Sequence, residues 1–327
     1  MTGLMTGLKT RLAALAASCL LLSGCGLSSS FALPLDVLAG PNAAKADLTG
    51  TRIIVGSKDF TEQIIVGHLT EFMLAAAGAD VVDLTNIQGS NSSRQALVSG
   101  DIDVQWEYTG TAWVSYLAQT DPIPDEAKQF EAVKAADKEN GLEWLDYAAL
   151  NNTYAFAMRK QDAQALGIST TSQIAELVKR DPSQGVFCLE TEFVSRSDGF
   201  PGVQKAYGFT VPPGNVKIFG SGAVYAALGN GACKFGEVYT TDGRILALDL
   251  TLVEDDKKFF PQYNIAPVVR TDFLREHPQV KDVLDPLVER LDNRTMQELS
   301  AKVDVEGADP VEVARDYLVE EGIIALP

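Results

Sequence analysis

Residues 101–108 alternate strictly: Ile102, Val104, Trp106 and Tyr108 interleave with Asp101, Asp103, Gln105 and Glu107. A period of two over this length belongs to a β-strand, and it runs straight into Thr109-Gly110-Thr111, the turn expected at the head of a helix. Upstream, Arg52-Ile53-Ile54-Val55-Gly56 is a short β-branched run of the kind that forms a buried strand. A helix should follow, with Asp59 as its cap, Glu62 as capping-box partner, Ile64, Ile65, Leu69, Phe72 and Met73 as its apolar stripe and Gly78 as its end. A second helix should start within Ser90–Leu97. Strand, polar loop and helix in this order constrain the chain to an α/β sheet, whose ligands gather at the carboxyl ends of the strands.

Farther on, Asn151–Met158 and Ile265–Arg270 are extended runs. The roughly one hundred residues between them carry their own signals: strands at Val186–Leu189 and Phe235–Thr240 and a helix at Ser221–Leu228. The tail is helical, and Asp309-Pro310-Val311-Glu312 is a well-formed helix start. With 327 residues and 46% hydrophobic content there is material for one large or two ordinary cores.

Lys9 and Arg11 precede an uncharged apolar run, Leu12 to Leu22, about half the roughly 20 residues of a spanning helix. The run closes on Leu22-Ser23-Gly24-Cys25, which resembles the lipobox of bacterial lipoproteins with Cys25 as the acylated residue; an ordinary cleaved signal or an N-terminal core helix is the competing reading. Residues 1–24 are therefore expected to be a signal peptide and 25–51 an anchor and flexible tether, since Ser28 to Asp47 is rich in Ser, Pro, Gly and Ala. Cleavage would remove two basic residues and take the net charge from -17 to -19. So acidic a surface argues against nucleic acid and against direct binding to anionic lipid. The expected location is the outer face of a bacterial cell membrane, held by lipid alone. Of the four cysteines, Cys188 and Cys233 remain in the exported body, and an even pair in an oxidising compartment favours a disulfide over two buried thiols.

Enzyme signals are weak. The two histidines are His68, inside the first helix, and His277, before Pro278, and neither has an evident nucleophile beside it. There is no Gly-x-Ser-x-Gly elbow, phosphate loop or two-Cys or His-rich metal spacing, and Asp255-Asp256 is simply read as an exposed charge run. No cofactor and no metal are expected.

From about residue 52 onward the chain resembles the substrate-binding proteins of ABC importers for glycine betaine, carnitine and choline. The matching stretches are Val55 to Gln63, Glu107 to Thr111, Asn151 to Ala155, Arg196 to Gly199, Thr241 to Ile245 and Phe259 to Tyr263. The resemblance implies a two-lobed, type II periplasmic-binding-protein fold with two chain crossings, near Asn152 and Pro261. Lobe I would be 52–152 plus 262–327, and lobe II 153–261, closing on the ligand by a hinge motion. A trimethylammonium group has no N–H to donate, so it is held by ring faces. By resemblance those rings are Tyr108, Tyr154, Tyr239 and Tyr263, two from each lobe, among nine tyrosines in the chain. Lys58, Thr111 and Arg196 fall where the family binds the solute's carboxylate, Arg196 as a donor fork, which tilts the expected ligand toward a betaine and away from choline. Gln63 and Asn152 are secondary contacts, and Asp242 is read chiefly as a turn-stabilising carboxylate. The expected partners are the solute, a permease and its ATPase subunits, and the protein is expected to be a monomer. The alternatives are the same fold carrying another polar solute, or a lipid-anchored sensor.

Overall fold

The computed structural model describes residues 36–119 and 123–327; the signal peptide, Cys25 and the first part of the expected tether lie outside them. The described chain builds two five-stranded sheets. In the first, β2 (Arg52–Lys58) lies parallel between β3 (Asp80–Ile87), at the sheet edge, and β4 (Val104–Tyr108). A later strand, β11 (Ile265–Arg270), then pairs antiparallel with both β4 and β5 (Leu142–Trp144). In the second, β6 (Tyr154–Arg159) is antiparallel to β9 (Phe235–Tyr239) and β10 (Leu250–Val253), while β7 (Phe187–Glu190) runs parallel to β9 and β8 (Val216–Phe219).

The chain passes from the first sheet to the second between β5 and β6 and returns between β10 and β11. The two passages run side by side. Asn151 bridges Asn264, Asn152 N–H donates to Tyr263 O at 3.3 Å, and Tyr263 N–H donates to Asn151 Oδ1 at 2.9 Å.

Both faces of the first sheet are covered, which changes the meaning of the alternation in β4. The helix α1 (Thr61–Ala76) packs Ile65, Leu69 and Phe72 over one face, and α2 (Ser90–Ser99) covers the other. All of Val104–Tyr108 is consequently buried. The polar positions hold their place through hydrogen bonds, as buried polar groups must. Gln105 Oε1 accepts from Ser93 Oγ at 2.5 Å, and Glu107 meets Lys58.

The N-terminus of α1 departs from expectation. Phe60, in extended conformation, occupies the cap position without a side-chain cap bond. Asp59 instead accepts from Gly89 N–H at 3.2 Å, and Glu62 is buried 5% exposed in a network of its own. A second correction concerns the tether. Residues 36–48 are packed on the body: β1 (Leu38–Ala39) pairs antiparallel with β12 (Ile324–Ala325), Gly40 N–H donates to Ile323 O at 2.9 Å, and Val37 and Leu48 are buried. Gly40, one of the small residues read as flexible, lets the chain lie close against the C-terminal segment, since a Cβ there would collide with the Gly322 carbonyl. At the other end, Asp309 caps a helix over Pro310–Glu320 by accepting from Val311 N–H. No helix among the described residues is long and apolar enough to cross a membrane.

Cys188, in β7, and Cys233, just before β9, form a disulfide with Cα atoms 5.7 Å apart and a sequence separation of 45. Closing a loop of that length in the unfolded chain removes entropy equivalent to about 4 kcal/mol. Replacing both cysteines by alanine should lower the unfolding free energy by about 3–4 kcal/mol, measured by guanidinium denaturation, with the same native secondary structure by circular dichroism.

Candidate ligand site

Strand ends from both sheets converge on one cavity of about 300 Å³. Lys58 ends β2, Tyr108 ends β4, Glu190 ends β7 and Tyr239 ends β9, so the cavity sits at carboxyl ends of strands. Tyr154 opens β6 and is the register partner of Tyr239. Tyr263 stands on the returning passage, two residues before Ile265, the register partner of Tyr108.

All four tyrosines line this cavity. Ring centroids are 5.3 Å apart for Tyr154 and Tyr239, and 5.2 Å for Tyr154 and Tyr263, the latter nearly perpendicular. A fifth ring completes the series. Phe60 stacks on Tyr239 at 5.5 Å and on Tyr108 at 6.1 Å, joining rings carried by the two sheets. Phe60 falls within the Val55–Gln63 motif, but no local pattern gave it a role; its ring acquires one only when the fold brings Tyr108 and Tyr239 beside it.

The rings are held by their hydroxyls and by backbone. Tyr263 donates to Asp198 Oδ2 at 2.6 Å, and Tyr108 donates to Glu62 Oε1 at 2.5 Å. Glu62 also accepts from Asn152 Nδ2 at 3.0 Å, and Thr241 lies 3.2 Å from its Oε2 while donating to Asn152 Oδ1 at 2.8 Å. Gly110 has no side chain because none fits: a Cβ there would stand 2.6 Å from Gln262 O and 2.7 Å from the Tyr263 ring. Asp242 binds Arg244 through both carboxylate oxygens and accepts from its backbone N–H, a turn-stabilising role.

The two cations require a correction. Lys58 and Arg196 line the cavity, but both already have carboxylate partners. Lys58 Nζ lies 2.5 Å from Glu107 Oε1, with both side chains buried. The Arg196 fork is engaged by Asp198, Nε at 2.8 Å and Nη2 at 2.6 Å. Such pairing is what buried charges demand, since an unpaired one is very costly away from water. The forked pair of donors is therefore not free for a solute, and the preference for betaine over choline loses its basis, because neither cation would be left unpaired. Each keeps further N–H donors: two on the Lys58 ammonium, and those of Arg196 Nη1.

Thr111 and Asn152 line the cavity, whereas Gln63 is fully buried in α1 and does not. Asp59, Glu190 and Glu192 line it and were missed from sequence. Glu192 reaches across to accept from Ser90 N–H, at the start of α2, at 2.6 Å. That contact spans 102 residues, and no local pattern announces it. The lining thus carries more carboxylate than cationic groups.

Two sheets linked by paired crossings, with a ring-lined cavity at their strand ends, define a type II solute-binding protein. The family of substrate-binding domains of ABC-type glycine betaine transport systems matches residues 51–320, and this chain belongs to it. It is similar to the glycine-betaine-binding protein of Pseudomonas aeruginosa, 39% identical over 275 residues that cover 83% of this chain and 88% of that one. It is 33% identical over 274 residues to an ergothioneine transport permease/ergothioneine binding protein of Helicobacter pylori, covering 83% of this chain and 48% of that longer one. Among solved structures it resembles a glycine betaine/carnitine/choline ABC transporter protein at a TM-score of 0.67 and 28% identity, covering 82% of this chain and 98% of that one. The chain is thus a substrate-binding protein of an ABC transporter and not an enzyme.

Two buried carboxyls give the site a pH signature. Desolvation pushes Glu62 up to about 7, against hydrogen bonds from Tyr108 and Asn152. Desolvation, then the charge of Glu190, pushes Glu237, on β9, up to about 8. An unfolded glutamate loses its proton near 4.5. Between those values the folded chain holds protons that the unfolded chain has released, so stability is full below about 4.5 and is lost as pH rises through 7 and 8. Denaturation at pH 5 and pH 8 should show higher stability at pH 5, and Glu237→Gln should make the slope shallower, by on the order of a few kcal/mol over the interval.

Proposed function

We propose that this protein captures a small quaternary-ammonium solute, glycine betaine or a related betaine, in the ring-lined cavity and delivers it to the permease of an ABC importer. The observation that carries the reading is the convergence of Tyr108, Phe60, Tyr239, Tyr154 and Tyr263 on one cavity. A methylated nitrogen can neither donate nor accept a hydrogen bond, and a set of ring faces, each contributing about 0.5–2 kcal/mol, suits it better than carbonyls would. The surplus of carboxylates around the lining favours a cationic head in the same direction. A solute carboxylate would take the remaining donors of Lys58 and Arg196 together with Thr111.

Rings contributed from both sheets imply a working cycle. Lobe I, residues 52–152 with 262–327, and lobe II, residues 153–261, would part and close about the paired crossings, with solute completing the ring enclosure. Cys25 would carry the lipid that keeps the protein at the outer face of the membrane.

A second reading follows from the internal pairing of Lys58 with Glu107 and Arg196 with Asp198. A cation lacking a carboxylate, such as choline, meets no unpaired positive charge there. Calorimetric titration of the full-length protein with glycine betaine, carnitine, choline and ergothioneine separates these readings. We expect micromolar binding, about 8 kcal/mol, to at least one betaine. Tyr154→Ala and Tyr239→Ala should each weaken it tenfold or more, while Tyr239→Phe, which keeps the ring face, should cost less than threefold. Heat from choline alone would favour the second reading, and no heat from any quaternary ammonium compound would end both.

A further inference from the structure

Away from the cavity, at the open edge of the first sheet, α1 and β3 bring three metal-ligating side chains together. His68 and Glu71 lie three residues apart on α1 and face β3, where Asp83 projects to meet them. The helix can come this close because position 67 is glycine: a Cβ there would stand 2.8 Å from Thr85 Cγ2. One ligand atom from each of His68, Glu71 and Asp83 lies within 4.8 Å of the others.

Inside the group the hydrogen bonding is incomplete. His68 Nδ1 is 2.7 Å from Glu71 Oε2. Glu71 is fully buried, and its Oε1 has no hydrogen-bond donor among the described residues. Beside it stands Asp83, a second carboxylate, which is exposed and spends Oδ1 on Thr85 N–H at 2.7 Å. The other charge felt at His68 is that of Asp309, also acidic. A buried carboxylate oxygen without a donor among the described residues, with a second carboxylate beside it, is a costly arrangement unless something positive stands between them.

We infer that His68, Glu71 and Asp83 form a structural binding site for one divalent transition-metal ion, with Zn2+ the best match. One nitrogen and two oxygen donors are a zinc-type set, whereas Mg2+ and Ca2+ take oxygen alone. Two carboxylates and a neutral imidazole balance the +2 charge, and a water reaching in past exposed Asp83 supplies the fourth ligand. Bonds of about 2.0–2.2 Å require the three side chains to draw together by small rotations, which the solvent-facing Asp83 permits. The ion would fasten the edge strand β3 to α1. Histidine and glutamate at this helical spacing are common in sequence, and Asp83 joins them only through the fold, so no linear metal motif is visible.

The test uses the full-length protein, free of any histidine tag and stripped with chelator. Calorimetric titration with Zn2+ should show one ion per chain, and Zn2+ should raise the melting temperature by several degrees while Mg2+ at equal concentration leaves it unchanged. Asp83→Asn, at an exposed position that cannot upset the core, and the isosteric Glu71→Gln should each weaken Zn2+ binding at least tenfold. The unloaded Asp83→Asn protein should be folded and melt no lower than the parent, since the amide removes the like charge beside Glu71. Absence of Zn2+ binding by the parent protein would overturn the assignment, as would binding that Asp83→Asn and Glu71→Gln leave undiminished.

Discussion

The structure turns on a pair of peptide strands that cross between the sheets at one place and hydrogen-bond to each other. Asn151–Asn152 and Tyr263–Asn264 form this junction, and it positions two ring-bearing residues, Tyr154 on the way out and Tyr263 on the way back. Glu62 extends the junction to Tyr108 at the end of β4 and to Thr241 just past β9, besides Asn152. A buried carboxyl in that position is costly by itself, and the three polar neighbours are what make it tolerable. Ring placement and crossing geometry are thus one network rather than two.

The electrostatics of the cavity follow the same economy. Each cation on its wall is neutralised by a carboxylate of the protein, Lys58 by Glu107 and Arg196 by Asp198, so the lining offers a solute no uncompensated positive charge. Recognition can then rest on ring faces and on the spare N–H groups of already paired cations. Specificity between solutes becomes a question of shape and of a few donors, because the large desolvation costs are met within the protein.

Much of this architecture was legible in the sequence because it is written in short-range patterns. The alternation before Tyr108, the β-branched run at Ile53–Val55 and the capped start at Asp309 each specify an element from adjacent residues. The four tyrosines were identified from motifs in the order a known family places them, and they share a cavity. What escaped was either long-range or a competition among partners. Arg196 was read as free although Asp198, two residues on, claims its fork. Glu192 reaches Ser90 only through the fold, and Glu62 was assigned to a helix cap although burial recruits it elsewhere. The residues taken for a loose tether carry Val37 and Leu48, two apolar side chains whose burial outweighs the freedom suggested by their small neighbours.

Gly110 carries an implication for how such a pocket can diversify. Its missing side chain is what lets the Tyr263 ring lie against the backbone, with the Gln262 carbonyl closing the other side. Any bulkier residue would have to move main chain as well as ring, so this corner of the wall is closed to gradual remodelling. Substitutions that change solute preference would then have to fall on ring-bearing or carboxylate-bearing positions elsewhere on the lining, with this corner held constant.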